Sequence, residues 1–322
     1  MPILISTSTD GLEVVRVAND VLSLTFLPQC GGRLISLKYK DRELLWANPK
    51  YLTNNSLAAI DFHSWPKPDS TMGSWINLGG SKTWPAPQGW SNVNQWPGPP
   101  DDVLDSGTYS LDHEVSAEGD FKVTLTSPCD DRTGIQIIRS FTIPKSGTSF
   151  FQKIFFRNHS TQVRTWSIWE VVQVATKLQS NSEEKGYFLV ETESQEIPKI
   201  LFHLVGDIEY SFTKSGVKVP VQDSVGKVGF TRANGNLSWV RPDGLILQLQ
   251  FEPLVDANYP DGGCSVELWH QFPLNAPMED LGRLQPDAHL VEMEILSPLH
   301  EIAPGKMINL NILWSLSNSA KD

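Results

Sequence analysis

The chain contains few cysteines, and they do not form the pattern of a disulfide framework. Among 322 residues there are three, Cys30, Cys129 and Cys264, which are widely spaced and include no Cys-x-x-Cys pair. Such usage is typical of reduced thiols, since disulfides persist mainly in oxidising compartments. The first ten residues have neither a basic region nor a long apolar run. We therefore expect no secretory signal and predict a cytoplasmic protein.

Basic residues are also in deficit. With 26 Lys and Arg against 37 Asp and Glu, the formal net charge is −11, which disfavours binding to nucleic acid or to an anionic membrane surface. No apolar run approaches the roughly 20 residues that span a bilayer. The seven histidines lack the spacing of a metal site, and no glycine-rich phosphate loop occurs. We therefore predict neither a metal nor a cofactor.

Helix signals are scarce, whereas strand signals recur along the chain as short β-branched and aromatic runs bounded by Gly, Pro, Asn and Asp. These runs cover residues 21–26, 121–126, 134–143, 150–156, 163–174, 245–251, 266–272, 290–296 and 307–316. The run 245–251 alternates apolar residues with others, which is typical of a strand with one buried face. Since no linker divides the chain, we predict an all-β protein, one sandwich of twisted, mostly antiparallel sheets spanning residues 1–322.

One acidic tract interrupts the pattern of strand signals. Residues 179–196 contain five glutamates among mostly polar neighbours. Its composition predicts an exposed loop or hairpin, not a boundary between domains.

Tryptophan is concentrated in residues 62–100, which we call the Trp-rich segment. These residues hold five of the eleven tryptophans and seven prolines, but only three Asp, Glu, Lys or Arg residues. Surface loops are usually charged and poor in aromatics, whereas this one is neutral and stiffened by proline. Such a segment either fills a core or lines a pocket that stacks rings on a flat, weakly charged ligand such as a sugar.

Several motifs follow one another in an order that a known family shares. A Gly-Gly-Arg turn precedes an Ile-Ser-Leu strand, an Arg-Asn-His-Ser turn lies mid-chain, and the last strands include Ser-Pro and Ala-Pro-Gly-Lys. The pieces are residues 27–38, 41–48, 134–143, 155–160, 290–298, 302–306 and 314–316. Their order resembles that of the aldose 1-epimerases, the galactose mutarotase-like superfamily. The resemblance implies a branch of that superfamily with its β-supersandwich fold and a carbohydrate-binding concave face.

Two histidine-bearing segments of that family are replaced in this chain. Mutarotases carry a His-Gly segment after the early strands, where this chain has residues 80–84, Gly-Ser-Lys-Thr-Trp. They carry a His-x-Tyr-Phe-Asn segment after the Asn-x-Ser turn, where this chain has residues 166–171. Lys82 and Trp84 therefore fall where the family places active-site chemistry, and we expect them to replace it.

Mutarotation needs a base at the anomeric hydroxyl and an acid at the ring oxygen. Glu292 and Glu294 are two residues apart in a predicted strand, so they face the same side and their repulsion raises one pKa. Either is a candidate base, and the alternative is a solvated strand edge. The candidate acid is Lys82 or His270. Their alternatives are a lysine stem lying over tryptophan with its ammonium in water, and a core histidine whose hydrogen bonds are satisfied.

Other residues are candidates for holding the sugar. Glu267, Trp269 and Gln271 share one face of the run 266–272, which makes a row of carboxylate, ring and amide. Glu170 lies among apolar residues and needs a partner, Lys82 or Arg139. The predicted substrate-binding residues are Trp84, Gln88, Glu170, Glu267, Trp269 and Arg139.

The sequence leaves three functions open. The first is a sugar epimerase or related isomerase with a small-molecule sugar in a concave pocket. The second is a non-catalytic sugar-binding protein on the same scaffold, which the missing histidines favour. The third, cleavage of an acidic polysaccharide, is disfavoured because such an enzyme usually has a basic groove.

Overall fold

The computed structural model describes residues 3–176, 185–193 and 195–318. Regular structure in these ranges is nearly all β-strand, in agreement with the scarcity of helix signals. In chain order the strands are β1 (Ile3–Thr9), β2 (Leu12–Ala18), β3 (Leu22–Leu27), β4 (Arg33–Tyr39), β5 (Arg42–Glu43), β6 (Ser81–Ala86), β7 (Ser110–Val115), β8 (Phe121–Thr126), β9 (Ile135–Ile143), β10 (Ser149–Asn158), β11 (Arg164–Ala175), β12 (Tyr187–Thr192), β13 (Lys199–Val205), β14 (Ser211–Phe212), β15 (Gly216–Pro220), β16 (Val225–Phe230), β17 (Ala233–Val240), β18 (Leu245–Gln250), β19 (Val266–Gln271), β20 (Leu290–Leu296), β21 (His300–Ile302) and β22 (Met307–Asn318).

The described strands form two antiparallel sheets. Sheet A has the order β1-β2-β3-β4-β6-β11-β20-β19-β16-β13, with β5 paired to β4 and β21 to β11. Sheet B has the order β14-β15-β12-β17-β18-β22-β10-β9-β8-β7. Every run predicted as a strand forms one, and the predicted all-β class is confirmed.

Helical structure in the described ranges is confined to single turns. Three 3-10 turns lie at Phe62–Ser64, Met72–Ser74 and Glu279–Leu281. A distorted turn, α1, covers Pro260–Gly263. None of these, nor any other helix in those ranges, has the length and apolar character that a bilayer crossing requires.

The acidic tract at 179–196 is only partly a loop. Its residues 179–184 and 194 lie outside the described ranges, but Tyr187–Thr192 forms β12, which pairs with β15 and β17. Phe188 and Val190 are fully buried. The prediction of an exposed loop or hairpin is therefore wrong for this stretch, because two apolar side chains on one strand face outweigh the glutamates around them.

The main core lies between the two sheets and follows the alternation of the strands. In β18 every second residue from Leu245 to Leu249 is fully buried. Large rings fill the space: Phe188 stacks on Trp239 with centroids 4.6 Å apart, and Phe150 on Trp314 at 5.3 Å. Since burying one such side chain contributes roughly 1.5–3 kcal/mol, this core supplies most of the force that holds the sheets face to face.

Two glycines lead the Trp-rich segment into β6. Gly79 and Gly80 have φ angles of 94° and 73°, a region that residues with a Cβ rarely adopt. A Cβ there would collide with the carbonyl oxygen of Trp46 or of Leu34, respectively. The close approach lets β6 bridge from β4 to β11, which brings Lys82 into the middle of sheet A.

A buried ion pair joins the two sheets. Arg139 of β9 donates to Glu170 of β11 at 2.8 Å and to the carbonyl oxygen of Gly32 at 2.8 Å. Glu170 also accepts hydrogen bonds from the hydroxyls of Ser81 and Thr83. Both charged side chains are fully buried, and buried charges persist only when they are paired. Arg139 is therefore the partner of Glu170. The pair lies in the core and does not line the cavity described below, contrary to the predicted substrate-binding role.

We expect the substitution Arg139→Met to lower the free energy of unfolding by about 3–5 kcal/mol, because it leaves the Glu170 carboxylate buried without its counter-ion. Urea unfolding measures this change. The double variant Arg139→Met/Glu170→Gln should lose less stability than Arg139→Met alone, because it no longer buries an unpaired carboxylate. As a control, Arg283→Met removes an exposed pair with Glu279 at 3.5 Å and should change stability by less than about 1 kcal/mol. Equal effects of the buried and exposed substitutions would contradict the argument.

Candidate functional site

A cavity of about 250 Å³ opens on the face of sheet A that points away from the core. Neighbouring strands β11, β20, β19 and β16 supply its floor through Trp169, Glu292, Glu294, Trp269 and Lys227. The Trp-rich segment forms one wall, and the turns around α1 and the 3-10 turn Glu279–Leu281 contribute others. The volume lies just below the range of about 300–1,000 Å³ that is typical of small-ligand pockets. We call this space the first cavity.

Two carboxylates stand side by side in the floor. Glu292 and Glu294 share the cavity face of β20, while Val291, Met293 and Ile295 on the other face pack in the core. β20 lies between β11 and β19, so the alternative of a solvated strand edge is wrong. The Glu294 side chain is 1% exposed and that of Glu292 is 12% exposed. Charges this deeply buried need partners.

Lys227 of β16 supplies one partner and bridges two strands. Its Nζ lies 2.8 Å from Glu294 Oε2 and forms an ion pair with Glu267. The Trp169 indole donates to the same Glu294 oxygen at 2.6 Å. Burial raises the pKa of both carboxyl groups. Burial also opposes the charge of Lys227, but the two carboxylates outweigh it and raise the pKa of this lysine. Lys227 is therefore protonated at neutral pH.

Sequence reasoning missed Lys227. Its strand reads Val-Gly-Lys-Val-Gly-Phe, and the two glycines hide the strand signal. One signal was available: Val228 and Phe230 share an apolar face that packs in the core. Lys227 therefore alternates onto the opposite face of a half-buried strand. Its partners could not be read from that pattern, because they come from β19 and β20, far along the chain.

Lys82 supplies the partner of Glu292. Its Nζ lies 3.3 Å from Glu292 Oε1, which also accepts from the Gln173 side chain at 2.5 Å. The ammonium lies over the rings of Trp84 and Trp75, 4.6 and 5.4 Å from their centroids, where cation–π attraction stabilises it. Burial lowers the pKa of Lys82 to about 8, against the opposing attraction of Glu292. The ammonium is buried, so the alternative of a water-exposed charge is wrong.

One aspartate fixes the tryptophans of the wall. Asp105 accepts from the indole of Trp84 at 3.0 Å and from that of Trp75 at 2.8 Å. Arg33 neutralises Asp105 at 2.5 Å. Trp84 in turn meets Trp169 edge-on at 5.2 Å. The rings of the Trp-rich segment therefore pack against one another, and three of its tryptophans, Trp75, Trp84 and Trp90, line the cavity.

His270 does not reach the cavity, contrary to its prediction as a candidate acid. It lies on the inward face of β19, fully buried, 6.0 Å from the Phe188 ring. Among the described residues neither ring nitrogen has a hydrogen-bond partner. Burial lowers the pKa of His270 to about 4, so it is neutral at physiological pH. The alternative of a satisfied core histidine is right about its place in the core and wrong about its ring nitrogens.

The remaining predicted residues converge on one place. The cavity is lined by Glu292, Glu294, Trp84, Gln88 and Trp269. Lys82 and Glu267 do not line the cavity themselves. Lys82 contacts the lining residue Glu292, and Glu267 contacts the lining residue Lys227. In the part of the chain that the structure describes, no group of three or more His, Cys, Asp or Glu is placed to hold a metal ion.

The fold is shared with several solved structures. A TPR-domain containing protein from Parabacteroides distasonis matches with a TM-score of 0.61 and 13% identity, over 97% of this chain and 48% of that one. The chain thus spans about half of that protein. A galactose mutarotase-like protein from Clostridium acetobutylicum matches at 0.59 and 9%, over 98% and 99%. A galactose mutarotase related enzyme from Lactobacillus acidophilus matches at 0.54 and 9%, over 100% and 99%.

These identities are low, and they show the fold alone. They confirm the galactose mutarotase-like architecture that the order of motifs predicted. The chain belongs to the family described as "Domain of unknown function (DUF4380)", whose sequence model matches residues 12–317. No curated protein matches the chain.

The lowered pKa of Lys82 predicts a pH dependence of stability. Between pH 8 and 10.5 the unfolded chain keeps a proton on this lysine that the folded protein has released, so the free energy of unfolding rises with pH. Relative to Lys82→Met, the wild type should gain about 3 kcal/mol over this interval. Urea unfolding of both proteins across that range measures the gain.

An exposed lysine provides the control. Lys122 pairs with Glu114 on the surface at 2.8 Å, and Lys122→Met should change the free energy of unfolding by less than about 1 kcal/mol. A difference between wild type and Lys82→Met that stays constant from pH 7 to 10.5 would show that Lys82 titrates normally.

Proposed function

We propose that this protein binds a small sugar in the first cavity and interconverts its anomers, as an aldose 1-epimerase-like isomerase of the cytoplasm. The observation that carries the proposal is the pair Glu292 and Glu294, set side by side in a cavity walled by tryptophan. Ring faces there suit the C–H face of a pyranose, and carboxylate and amide groups suit its hydroxyls. The mutarotase-like fold of the structural neighbours supports a carbohydrate-related role.

Glu294 is the base in this proposal. Its Oε2 is held by Lys227 and Trp169, but its Oε1 has no hydrogen-bond partner among the described residues. A buried acceptor without a donor is costly and is usually satisfied by a ligand or water. Oε1 therefore accepts the proton of the anomeric hydroxyl. A carbonyl then forms at the anomeric carbon as its bond to the ring oxygen breaks.

The Lys82–Glu292 pair returns a proton to the ring oxygen. The ammonium of Lys82 contacts Glu292 Oε1, and Glu292 faces the cavity. Lys82, whose pKa of about 8 lies near the working pH, protonates the Glu292 carboxylate, and Glu292 passes this proton to the ring oxygen and becomes a carboxylate again. Rotation about the adjacent carbon–carbon bond and reversal of these transfers close the ring as the other anomer. No net proton or electron is consumed.

Polarimetry tests the catalytic assignment. We expect Glu294→Gln and Glu292→Gln each to slow anomer interconversion by about 10²- to 10⁴-fold, because each removes one proton-transfer group. Glu301→Gln is the matched control, since Glu301 is an exposed carboxylate on β21, which pairs with β11. Interconversion that both cavity variants leave unchanged would sink the assignment.

A non-catalytic sugar-binding protein is the second candidate. One observation favours it: residues 80–84 and 166–171 place lysine, tryptophan and a core-facing glutamate where mutarotases carry histidine. This candidate predicts saturable binding in calorimetry, with a tryptophan fluorescence change, and no acceleration of interconversion for any sugar bound.

The charges around the cavity predict which sugars bind. Among the described residues that line the cavity, three are acidic, Asp261, Glu292 and Glu294. One is basic, Lys227, and its ammonium group is already paired with Glu294 and Glu267. An added phosphate would meet uncompensated negative charge.

A hexose 6-phosphate should therefore bind at least about tenfold more weakly than its parent hexose. Calorimetry at low ionic strength compares the two Kd values. The ratio of the two Kd values should be smaller in Glu292→Gln, which removes one of the negative charges. Tighter binding of the phosphorylated sugar would overturn the preference for neutral ligands.

A further inference from the structure

A second cavity of about 340 Å³ adjoins the first. Four side chains line both spaces: Trp75, Asn77, Gln271 and Leu284. A side chain that belongs to two walls lies between them, so four such residues place the two cavities directly against each other. The second cavity is therefore within reach of a ligand that fills the first.

The second cavity differs in chemistry from the first. Its wall is mostly polar, with the Tyr51 ring and hydroxyl, the Gln285 amide and the ion pair of Lys50 with Asp287 at 2.6 Å. Amide, hydroxyl and paired charges offer donors and acceptors close together, as a ring of hydroxyl groups requires. The charges of Lys50 and Asp287 cancel, so the wall does not select an ionic ligand.

Trp75 divides the two cavities and is held firmly. Its indole N–H donates to the buried carboxylate of Asp105 at 2.8 Å, and its ring meets that of Trp84 edge-on at 5.8 Å. The ammonium of Lys82 lies 5.4 Å from its centroid. A ring fixed on three sides provides a pre-organised surface, and pre-organisation lowers the cost of ordering a ligand.

We propose that the second cavity is a subsite for a second sugar unit, so that the ligand of this protein is a neutral oligosaccharide. Its reducing-end ring lies in the first cavity and the adjoining ring lies against Trp75, Tyr51 and Gln285. This inference rests on the proposed sugar binding in the first cavity. It adds the class of ligand: a saccharide of at least two units, not a free monosaccharide.

Calorimetry with glucose, galactose, maltose, cellobiose and lactose tests the proposal. The best disaccharide should bind at least about tenfold more tightly than its own reducing-end monosaccharide, because its second ring adds hydrogen bonds in the second cavity. The double variant Tyr51→Phe/Gln285→Ala should bring that ratio below about threefold. It should leave the Kd of the monosaccharide within about twofold, because neither residue lines the first cavity.

A matched control is available on sheet B. Tyr187→Phe/Gln248→Ala makes the same chemical changes on β12 and β18, and it should keep the full ratio. Monosaccharide binding without any gain for a disaccharide, or a gain that Tyr51→Phe/Gln285→Ala leaves intact, would overturn the second subsite and leave the proposed function standing. Failure of every sugar to bind would overturn both.

Discussion

The buried contact of Arg139 with Glu170 is the constraint on which the site depends. Arg139 reaches from sheet B into sheet A, where its two terminal nitrogens donate to Glu170, to Ser81 of β6 and to the carbonyl oxygen of Gly32, just before β4. Because side chains alternate along a strand, fixing the inward residues of β6 and β11 also fixes their outward neighbours. Those neighbours include Lys82 and Trp169, which meet the carboxylates of β20. The pair thus acts on the cavity by setting the register and depth of two strands.

On the cavity side, charge is arranged in a row across adjacent strands. Lys82 of β6 pairs with Glu292, and Lys227 of β16 joins Glu294 to Glu267. Lys82 lies behind Glu292, whereas Lys227 lines the cavity beside Glu294. Such groups need little reorganisation when charge develops, because their positions and partners are set before the ligand arrives.

Strand periodicity predicted much of this arrangement. It placed Glu292 and Glu294 on one face, put Glu267, Trp269 and Gln271 on one face, and recovered the central strands of both sheets. It could not give the partners across strands, because register between segments 200 residues apart depends on the packed core. Lys82 therefore pairs with Glu292 and not Glu170. His270 shows the same limit. The strand pattern placed it correctly on the apolar face of β19, but its role depends on the residues of the sheet opposite, which the pattern does not give.

The tie between Asp105 and two indoles has a mechanical consequence. One carboxylate holds both Trp75 and Trp84, and that carboxylate is itself clamped by Arg33. Neither ring can rotate away without losing its hydrogen bond to the buried carboxylate of Asp105, so one group holds both rings in place. The two rings therefore move together or not at all, and a ligand that contacts one ring also affects the position of the other.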